Sequence, residues 1–273
     1  MSKHKSTKHH SRLHQVVSGV IAAAFAFTTV ISQVGSINGE NLKASLPTES
    51  KAFLDKYSEN VQKLYVSGGT SAWYYEDAIA AVEAGLLTGD TDKDGNKVMN
   101  PDALTNWAEG LTMLARVVAG GKDNIPNEAD IHIGVVHVMP DWAQSSVYFL
   151  IKNGRIDEID LESLFKGNKP SDPLTRIEMM QLASKILKIE KKSYEDVLMK
   201  FPDAISLTGD KRRAAEALVE AGVIGGEADG KLNPNGNLNR AAFVKILMVS
   251  KKTATDRGTL SGVSAPVTPP VTK

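Results

Sequence analysis

Apolar residues recur three and four positions apart in three stretches of the chain, a spacing that places them on one face of a helix. Aligned on Gly85, Gly154 and Gly222, the three stretches lie at nearly equal intervals along the sequence. Glycine suits the left-handed turn that ends many helices, so each stretch is predicted to be an amphipathic helix that stops at its glycine. The stretches are WYYEDAIAAVEAGLL (Trp73–Leu87), WAQSSVYFLIKNGRI (Trp142–Ile156) and DKRRAAEALVEAGVI (Asp210–Ile224).

A polar loop and a second helix start follow each of these stretches. In the middle copy, Thr175 and Glu178 have the spacing of a complete capping box, in which the hydroxyl and the carboxylate bond each other's backbone amide. Asn239 is expected to cap the third copy alone, and Thr105 the first, where Glu109 falls one place too late for a box. The second helices are LTNWAEGLTMLARVV (Leu104–Val118), LTRIEMMQLASKIL (Leu174–Leu187) and LNRAAFVKILMVS (Leu238–Ser250). The sequence therefore predicts a mainly all-α fold of three tandem helix-loop-helix repeats.

The N-terminus has the pattern of an export signal. Basic and histidine residues are followed by the uncharged run Val16–Ile31, which is shorter than the roughly 20 apolar residues that span a membrane. A retained membrane anchor is the alternative. The predicted organisation is a signal peptide (1–36), an N-terminal helical segment (37–66), repeats at 67–125, 126–192 and 193–252, and a Pro/Thr-rich linker (253–273).

Charge and cysteine content exclude several classes of function. The chain has equal numbers of acidic and basic residues, but four basic residues precede the first acid, Glu40, so the remainder is mildly acidic. This balance argues against a nucleic-acid partner. The absence of cysteine excludes disulfides, thiol nucleophiles and zinc-thiolate sites.

The order of motifs resembles that of the S-layer homology (SLH) family, which anchors bacterial surface proteins to cell-wall polysaccharide. The third repeat carries FPD (201–203), AGVIGG (221–226), DGKLNP (229–234) and LNRAA (238–242); the second carries DWA (141–143) and LTRIE (174–178); the first carries Trp73, AGLLTG (84–89), Pro101 and LTNWAE (104–109). The resemblance covers about residues 67–250. It implies a pseudo-threefold arrangement whose grooves bind a secondary cell-wall polymer, typically one with pyruvate ketals on N-acetylmannosamine.

The resemblance implies that Arg176 and Arg240 bind this anion. Each follows its cap, Thr175 or Asn239, at the first helical position. A guanidinium can bond a carboxylate bidentately, and a helix N-terminus offers amides and a positive dipole end. The two caps are included in the site because they shape the helix start.

Further contacts with the polymer are expected from other motif positions. Trp142 would lie against a sugar ring or in the core, and Asp203 would bond backbone groups or sugar hydroxyls. A weaker site is expected in the first repeat, at Trp73 and Asn106, because Asn106 is aligned with the two arginines and Ala108 with Glu178.

The stretch GDTDKDGNKV (Gly89–Val98) begins like a calcium-binding EF-hand loop. Position twelve of such a loop, counted from Asp90, is Pro101 instead of the required glutamate. The stretch is therefore predicted to be a polar turn, with weak calcium binding left open. His132 and His137 are five residues apart, which suits no helical metal pair. No metal site and no cofactor are predicted.

These observations predict a secreted, non-enzymatic protein of a bacterial cell wall or S-layer, without a membrane partner after signal cleavage. Its expected partner is secondary cell-wall polysaccharide, and its expected function is non-covalent surface anchoring. A structural S-layer protein whose repeats mainly self-associate is the alternative. An enzyme such as a wall hydrolase is disfavoured because little chain remains outside the repeats to hold an active site.

Overall fold

The structure, a computed structural model, describes residues 73–260 apart from residues 92, 94, 96, 129 and 130. Its α-helices are α1 (Tyr75–Glu83), α2 (Trp107–Ala119), α3 (Gly134–His137), α4 (Asp141–Lys152), α5 (Glu158–Phe165), α6 (Arg176–Leu187), α7 (Gly209–Glu220) and α8 (Arg240–Asp256). Strands β1 (Asp90–Thr91) and β2 (Lys97–Val98) form a short antiparallel hairpin. The mainly helical fold class is confirmed. The predicted signal peptide (1–36) and N-terminal helical segment (37–66) lie outside the described residues.

Helices α1, α4 and α7 stop where the sequence predicts. Gly85, Gly154 and Gly222 follow them with φ values of 66°, 60° and 71°. After each glycine, the next backbone amide donates a hydrogen bond back to the last turn of its helix: Leu86 N to Ala81 O, Arg155 N to Leu150 O and Val223 N to Leu218 O, at 2.8, 2.9 and 2.9 Å. This is the Schellman pattern, which satisfies carbonyls that the helix end leaves unpaired.

The caps of α6 and α8 are confirmed, but the predicted cap of α2 is wrong by one residue. Asn106, not Thr105, caps α2, and its side-chain oxygen accepts the Glu109 amide at 2.9 Å. The Glu109 carboxylate accepts the Asn106 amide at 2.9 Å, so this helix start has a complete capping box. Asn106 therefore corresponds to Thr175 and Asn239, and Trp107 occupies the position of the two arginines.

A closed ring of backbone hydrogen bonds explains this register. The Thr105 amide donates to Leu238 O, the Leu238 amide to Leu174 O and the Leu174 amide to Thr105 O, each at 2.9 Å. Thr105 is completely buried in this ring, and its backbone amide and carbonyl both form hydrogen bonds of the ring. The ring joins the three segments that lead into α2, α6 and α8.

These three inner helices pack on one another, and each carries one outer helix. Helix α4 packs on α2, α7 packs on α6, and α1 packs on α8. The first described helix thus covers the last one. The helices that pack in pairs are therefore not the pairs that the predicted repeats contain. Gly110 allows close contact at the centre: a Cβ there would overlap Leu174 Cδ1 and lie 3.2 Å from Phe243 Cε2.

Helix α8 continues to Asp256, so the linker predicted from residue 253 overlaps the folded domain. Beyond the helix, Thr259 Oγ1 donates to Leu187 O at 2.6 Å. Arg155 Nη1 donates to Thr259 O at 2.8 Å. These contacts hold residues after 252 against the ends of α4 and α6. Among the described residues, none of the helices combines the length and the apolar character needed to cross a membrane.

Candidate functional site

The site was expected at the N-termini of the inner helices, and the backbone amides there already have protein partners. The Arg176 and Ile177 amides donate to Gly236 O and Pro234 O, both at 2.8 Å. The Glu178 amide donates to the Thr175 hydroxyl. Equivalent bonds run from the first two amides of α8 to Ala103 O and Pro101 O, and from those of α2 to Asp172 O and Pro170 O. The expectation that these amides bind the ligand anion is therefore corrected, which leaves the side chains.

Each inner helix begins against the loop that leads into another inner helix. We call these places the Trp107, Arg176 and Arg240 junctions after the first residue of α2, α6 and α8. Because the ring and the amide bonds repeat at each junction, the three places can be compared position by position. They differ in the chemistry of the first helical residue.

At the Arg240 junction the guanidinium is buried and bonded to protein groups. The residue is 7% exposed. Its Nη1 donates to Asp90 Oδ2 at 2.6 Å and to Met99 O at 2.9 Å, and its Nη2 donates to Glu109 Oε1 at 3.2 Å. Two protein carboxylates thus occupy the position that a ligand carboxylate was expected to take.

The aspartate-rich stretch is part of this junction. Asp90 pairs with Val98 in the β1–β2 hairpin, and its carboxylate also accepts a hydrogen bond from Asn100 Nδ2 at 3.0 Å. The first residue of the suspected calcium loop therefore binds a guanidinium. Asp92 and Asp94 lie outside the described residues. In the described part of the chain, no group of three or more metal-ligating side chains is present.

At the Arg176 junction the guanidinium differs from that of Arg240 in having no bonding partner among the residues that the structure describes. Within the described part of the chain, its side chain makes no hydrogen bond or ion pair, and its Nε is buried without a partner. Burial lowers the pKa of Arg176, and the nearby Glu227 carboxylate opposes this shift. Glu227 itself accepts a hydrogen bond from Asn233 Nδ2 at 3.1 Å. The Nη donors of Arg176 are not among the buried atoms and have no partner in the described residues, so they are suited to bind an anion from outside the protein.

The Trp107 junction has an apolar residue in the equivalent place. Trp107 is completely buried, and its ring centroid lies 4.8 Å from that of Phe165. Asn106, predicted to hydrogen-bond sugar at a weaker first-repeat site, uses its side chain to cap α2.

Both tryptophans predicted to face the polymer are exposed. Trp142 is 57% exposed and Trp73 is 60% exposed, so a core role for Trp142 is excluded. Lys245 Nζ lies 5.3 Å from the Trp73 ring centroid, within the range of a cation–π contact.

The remaining predicted residues bond the backbone. Thr175 and Asn239 each accept the amide at the third position of their helix. Asp203 accepts the Leu232 and Asn233 amides at 3.0 and 2.7 Å, one with each carboxylate oxygen. Of the two roles considered for Asp203, the structure shows the backbone one. These three residues shape the loops around the junctions.

A groove of about 900 Å³ runs between α5, α6 and α7. It includes Gln181, five residues along α6 from Arg176. Lys166, Lys188 and Lys211 line it, and within the described residues none of their ammonium groups has a hydrogen-bond or ion-pair partner. The sequence does not single out these lysines, because isolated basic residues at helix ends (Lys166, Lys188) or within a polar helix (Lys211) form no motif.

Comparison with known proteins gives one family match. Residues 200–244, from the FPD turn through α7 to the start of α8, match the family model of the S-layer homology domain. No curated protein matches the chain. S-layer homology domains attach proteins to the bacterial cell surface through cell-wall polymers and are generally anchoring or structural rather than enzymatic. This match supports an S-layer homology domain at residues 200–244.

Proposed function

We propose that this chain is a secreted anchor that binds pyruvylated secondary cell-wall polysaccharide of a bacterium non-covalently, without enzymatic activity. The family match at residues 200–244 carries the proposal. We further propose that the segments 67–125, 126–192 and 193–252 are three SLH repeats in a pseudo-threefold arrangement. The recurring hydrogen bonds at the three junctions support this part of the proposal.

The Arg176 junction is the proposed anion site. A pyruvate ketal presents a fixed carboxylate, and the planar guanidinium of Arg176 can donate two parallel hydrogen bonds to it. Such a bond would satisfy a guanidinium that has no protein partner among the described residues. Arg240, predicted to share this role, is already bonded to Asp90 and Glu109. We therefore assign binding of the ketal carboxylate to Arg176 alone.

The polymer would extend from this junction over nearby surfaces. The groove between α5, α6 and α7 is lined by acidic as well as basic side chains, and its unpaired lysines would contact the anionic groups of the polymer. The exposed face of Trp142 suits a sugar ring, because aromatic residues combine a large apolar surface with low conformational cost.

The experiment is co-sedimentation of the chain from residue 37 with purified sacculi. Untreated sacculi are compared with sacculi from which the polymer, or only its pyruvate, has been removed. We expect binding to untreated sacculi and its loss on depyruvylation. Equal binding before and after depyruvylation would support the anchoring function but reject the pyruvate ketal as the bound group. Absence of binding to all sacculi would reject the anchoring function.

Two variants locate the binding charge. Arg176→Gln should weaken binding at least about tenfold, because a charge-assisted hydrogen bond contributes about 1.5–3 kcal/mol. Lys252→Gln removes the same charge from an exposed position near the end of α8 and is the matched control. Equal affinity of Arg176→Gln and wild type would reject the assignment to Arg176.

Self-association of the repeats in an S-layer is the second candidate. The loop between α6 and α7 favours it because Tyr194, Met199 and Ile205 are exposed there. Sedimentation velocity over a concentration series distinguishes the two functions. Concentration-dependent oligomers without affinity for sacculi would support the lattice function.

A further inference from the structure

The two arginine junctions differ at the residue that faces the guanidinium from the neighbouring helix. Arg240 donates its backbone amide to the segment before α2, and its side chain meets Glu109, the third residue of α2. Arg176 donates its backbone amide in the same way to the segment before α8. The position that corresponds to Glu109 is therefore Ala242, the third residue of α8. Alanine offers no carboxylate to Arg176.

The second carboxylate differs as well. Asp90 and Glu227 each lie five residues after the glycine that ends the preceding outer helix. Asp90 bonds Arg240 directly at 2.6 Å. Glu227 instead accepts a hydrogen bond from Asn233, and only its field acts on Arg176. Both differences leave Arg176 unbonded while Arg240 is bonded.

We propose that the third residue of the facing helix decides whether each junction arginine can take a carboxylate from the polymer. Ala242 keeps the Arg176 junction open, whereas Glu109, together with Asp90, closes the Arg240 junction. The chain therefore binds one carboxylate at its arginine junctions. This inference rests on the proposed function, since it concerns the same anion.

The test transfers the closing carboxylate with Ala242→Glu. Asn239 already caps α8 without a partner at the third position, so glutamate there would complete the capping box seen with Asn106 and Glu109. The variant is thus expected to be at least as stable as the wild type. Ala242→Gln is the matched control, because glutamine also completes the box but carries no charge.

Binding is measured by calorimetry with the methyl glycoside of pyruvylated N-acetylmannosamine. We expect Ala242→Glu to bind at least about tenfold more weakly than wild type, as for loss of one charge-assisted bond, and Ala242→Gln to remain within about threefold. Equal affinity of Ala242→Glu and wild type would overturn the inference.

The reciprocal variant opens the closed junction. Glu109→Ala combined with Asp90→Asn leaves Asn106 to cap α2 alone, as Asn239 caps α8. We expect the stoichiometry of the same glycoside to rise from one to two. A stoichiometry that stays at one in the folded double variant would contradict the role of Glu109 and Asp90.

A measurement without ligand separates this inference from the proposed function. The side-chain Nη–H signals of Arg176 in NMR spectra should become protected from solvent exchange in Ala242→Glu, and not in Ala242→Gln, because the equivalent bond of Arg240 to Glu109 is made by Nη2. If the wild type bound no glycoside but this protection appeared, the proposed ligand would be rejected and the closing role of position 242 retained. Unchanged exchange in Ala242→Glu would overturn the inference whatever the glycoside does.

Discussion

Replacing each junction arginine by methionine compares two similar positions with opposite surroundings. Methionine keeps an unbranched apolar side chain but removes the charge and all donors. Arg240→Met deletes three hydrogen bonds, two of them to carboxylates. Arg176→Met deletes none within the described part of the chain.

The solvent exposure of Asp90 and Glu109 determines how much stability Arg240→Met is expected to lose. Breaking a fully buried ion pair costs about 3–5 kcal/mol, because the remaining charge stays desolvated. The Arg240 side chain is 8% exposed, but those of Asp90 and Glu109 are 42% and 28% exposed. Both carboxylates can therefore regain water, which lowers the expected loss of unfolding free energy to about 2–3 kcal/mol.

Arg176→Met should change the unfolding free energy by less than about 1 kcal/mol, since it also removes a buried donor without a partner. Urea denaturation at neutral pH measures both values. An unchanged slope of unfolding free energy against urea concentration would show that each variant exposes the same amount of surface on unfolding as the wild type. For a domain of this size the Arg240 effect corresponds to a fall in Tm of about 4–12 °C. Equal losses for the two variants would refute the distinction between the junctions.

Other substitutions test the fold independently of the arginines. Gly110→Ala should lower the unfolding free energy by about 1–3 kcal/mol, because its Cβ would overlap a buried side chain. Gly134→Ala, whose Cβ would meet open space, should change the unfolding free energy by less than about 0.5 kcal/mol. Thermal unfolding measures both, and equal effects would contradict the close packing at Gly110. Asp203→Ala should lower the unfolding free energy measured in urea by about 1–3 kcal/mol, because it leaves two loop amides unpaired. Sacculus binding of the folded variant should be unchanged, and a loss of binding would show that Asp203 contacts the polymer. The pKa of Asp77 is raised, mainly by burial, so protonation of this group stabilises the fold at low pH and the contribution is lost as pH rises through the folded-state pKa. The stability of wild type relative to Asp77→Asn should therefore fall as the pH rises from about 4, the ordinary pKa of an aspartate, through the folded-state pKa, and a rise would contradict the sign.

The sequence predicts the local part of this fold well. The stops at Gly85, Gly154 and Gly222 depend on one residue that tolerates positive φ, and the box of Thr175 and Glu178 depends on residues three apart. Such signals involve neighbouring residues only, so a single sequence contains them. The start of α2 shows the limit, because Thr105 and Asn106 are both good caps. The choice between them is made by the ring of hydrogen bonds with distant segments.

The candidate site depends more strongly than the helix ends on contacts between residues that are far apart in the sequence. Arg240 meets Asp90 and Glu109 at sequence separations of 150 and 131 residues. Nothing in the local pattern distinguishes it from Arg176, since both follow a cap at the first helical position. The sequence thus identifies two equivalent candidates, and only tertiary structure shows that one of them is occupied by the protein itself.

The position of the occupied junction follows from how the ring of helices is closed. Residues 120–140, which include α3, join α2 to α4, and residues 188–208 join α6 to α7, so a covalent connection raises the effective concentration of each pair. Helices α8 and α1 lie at opposite ends of the described chain and pack without such a connection. The bond between Arg240 and Asp90 lies at this place and ties the hairpin after α1 to the start of α8. An arginine used for closure there is not available for the polymer, whereas the Arg176 junction is held by a covalent connection and can leave its guanidinium unbonded for an external carboxylate.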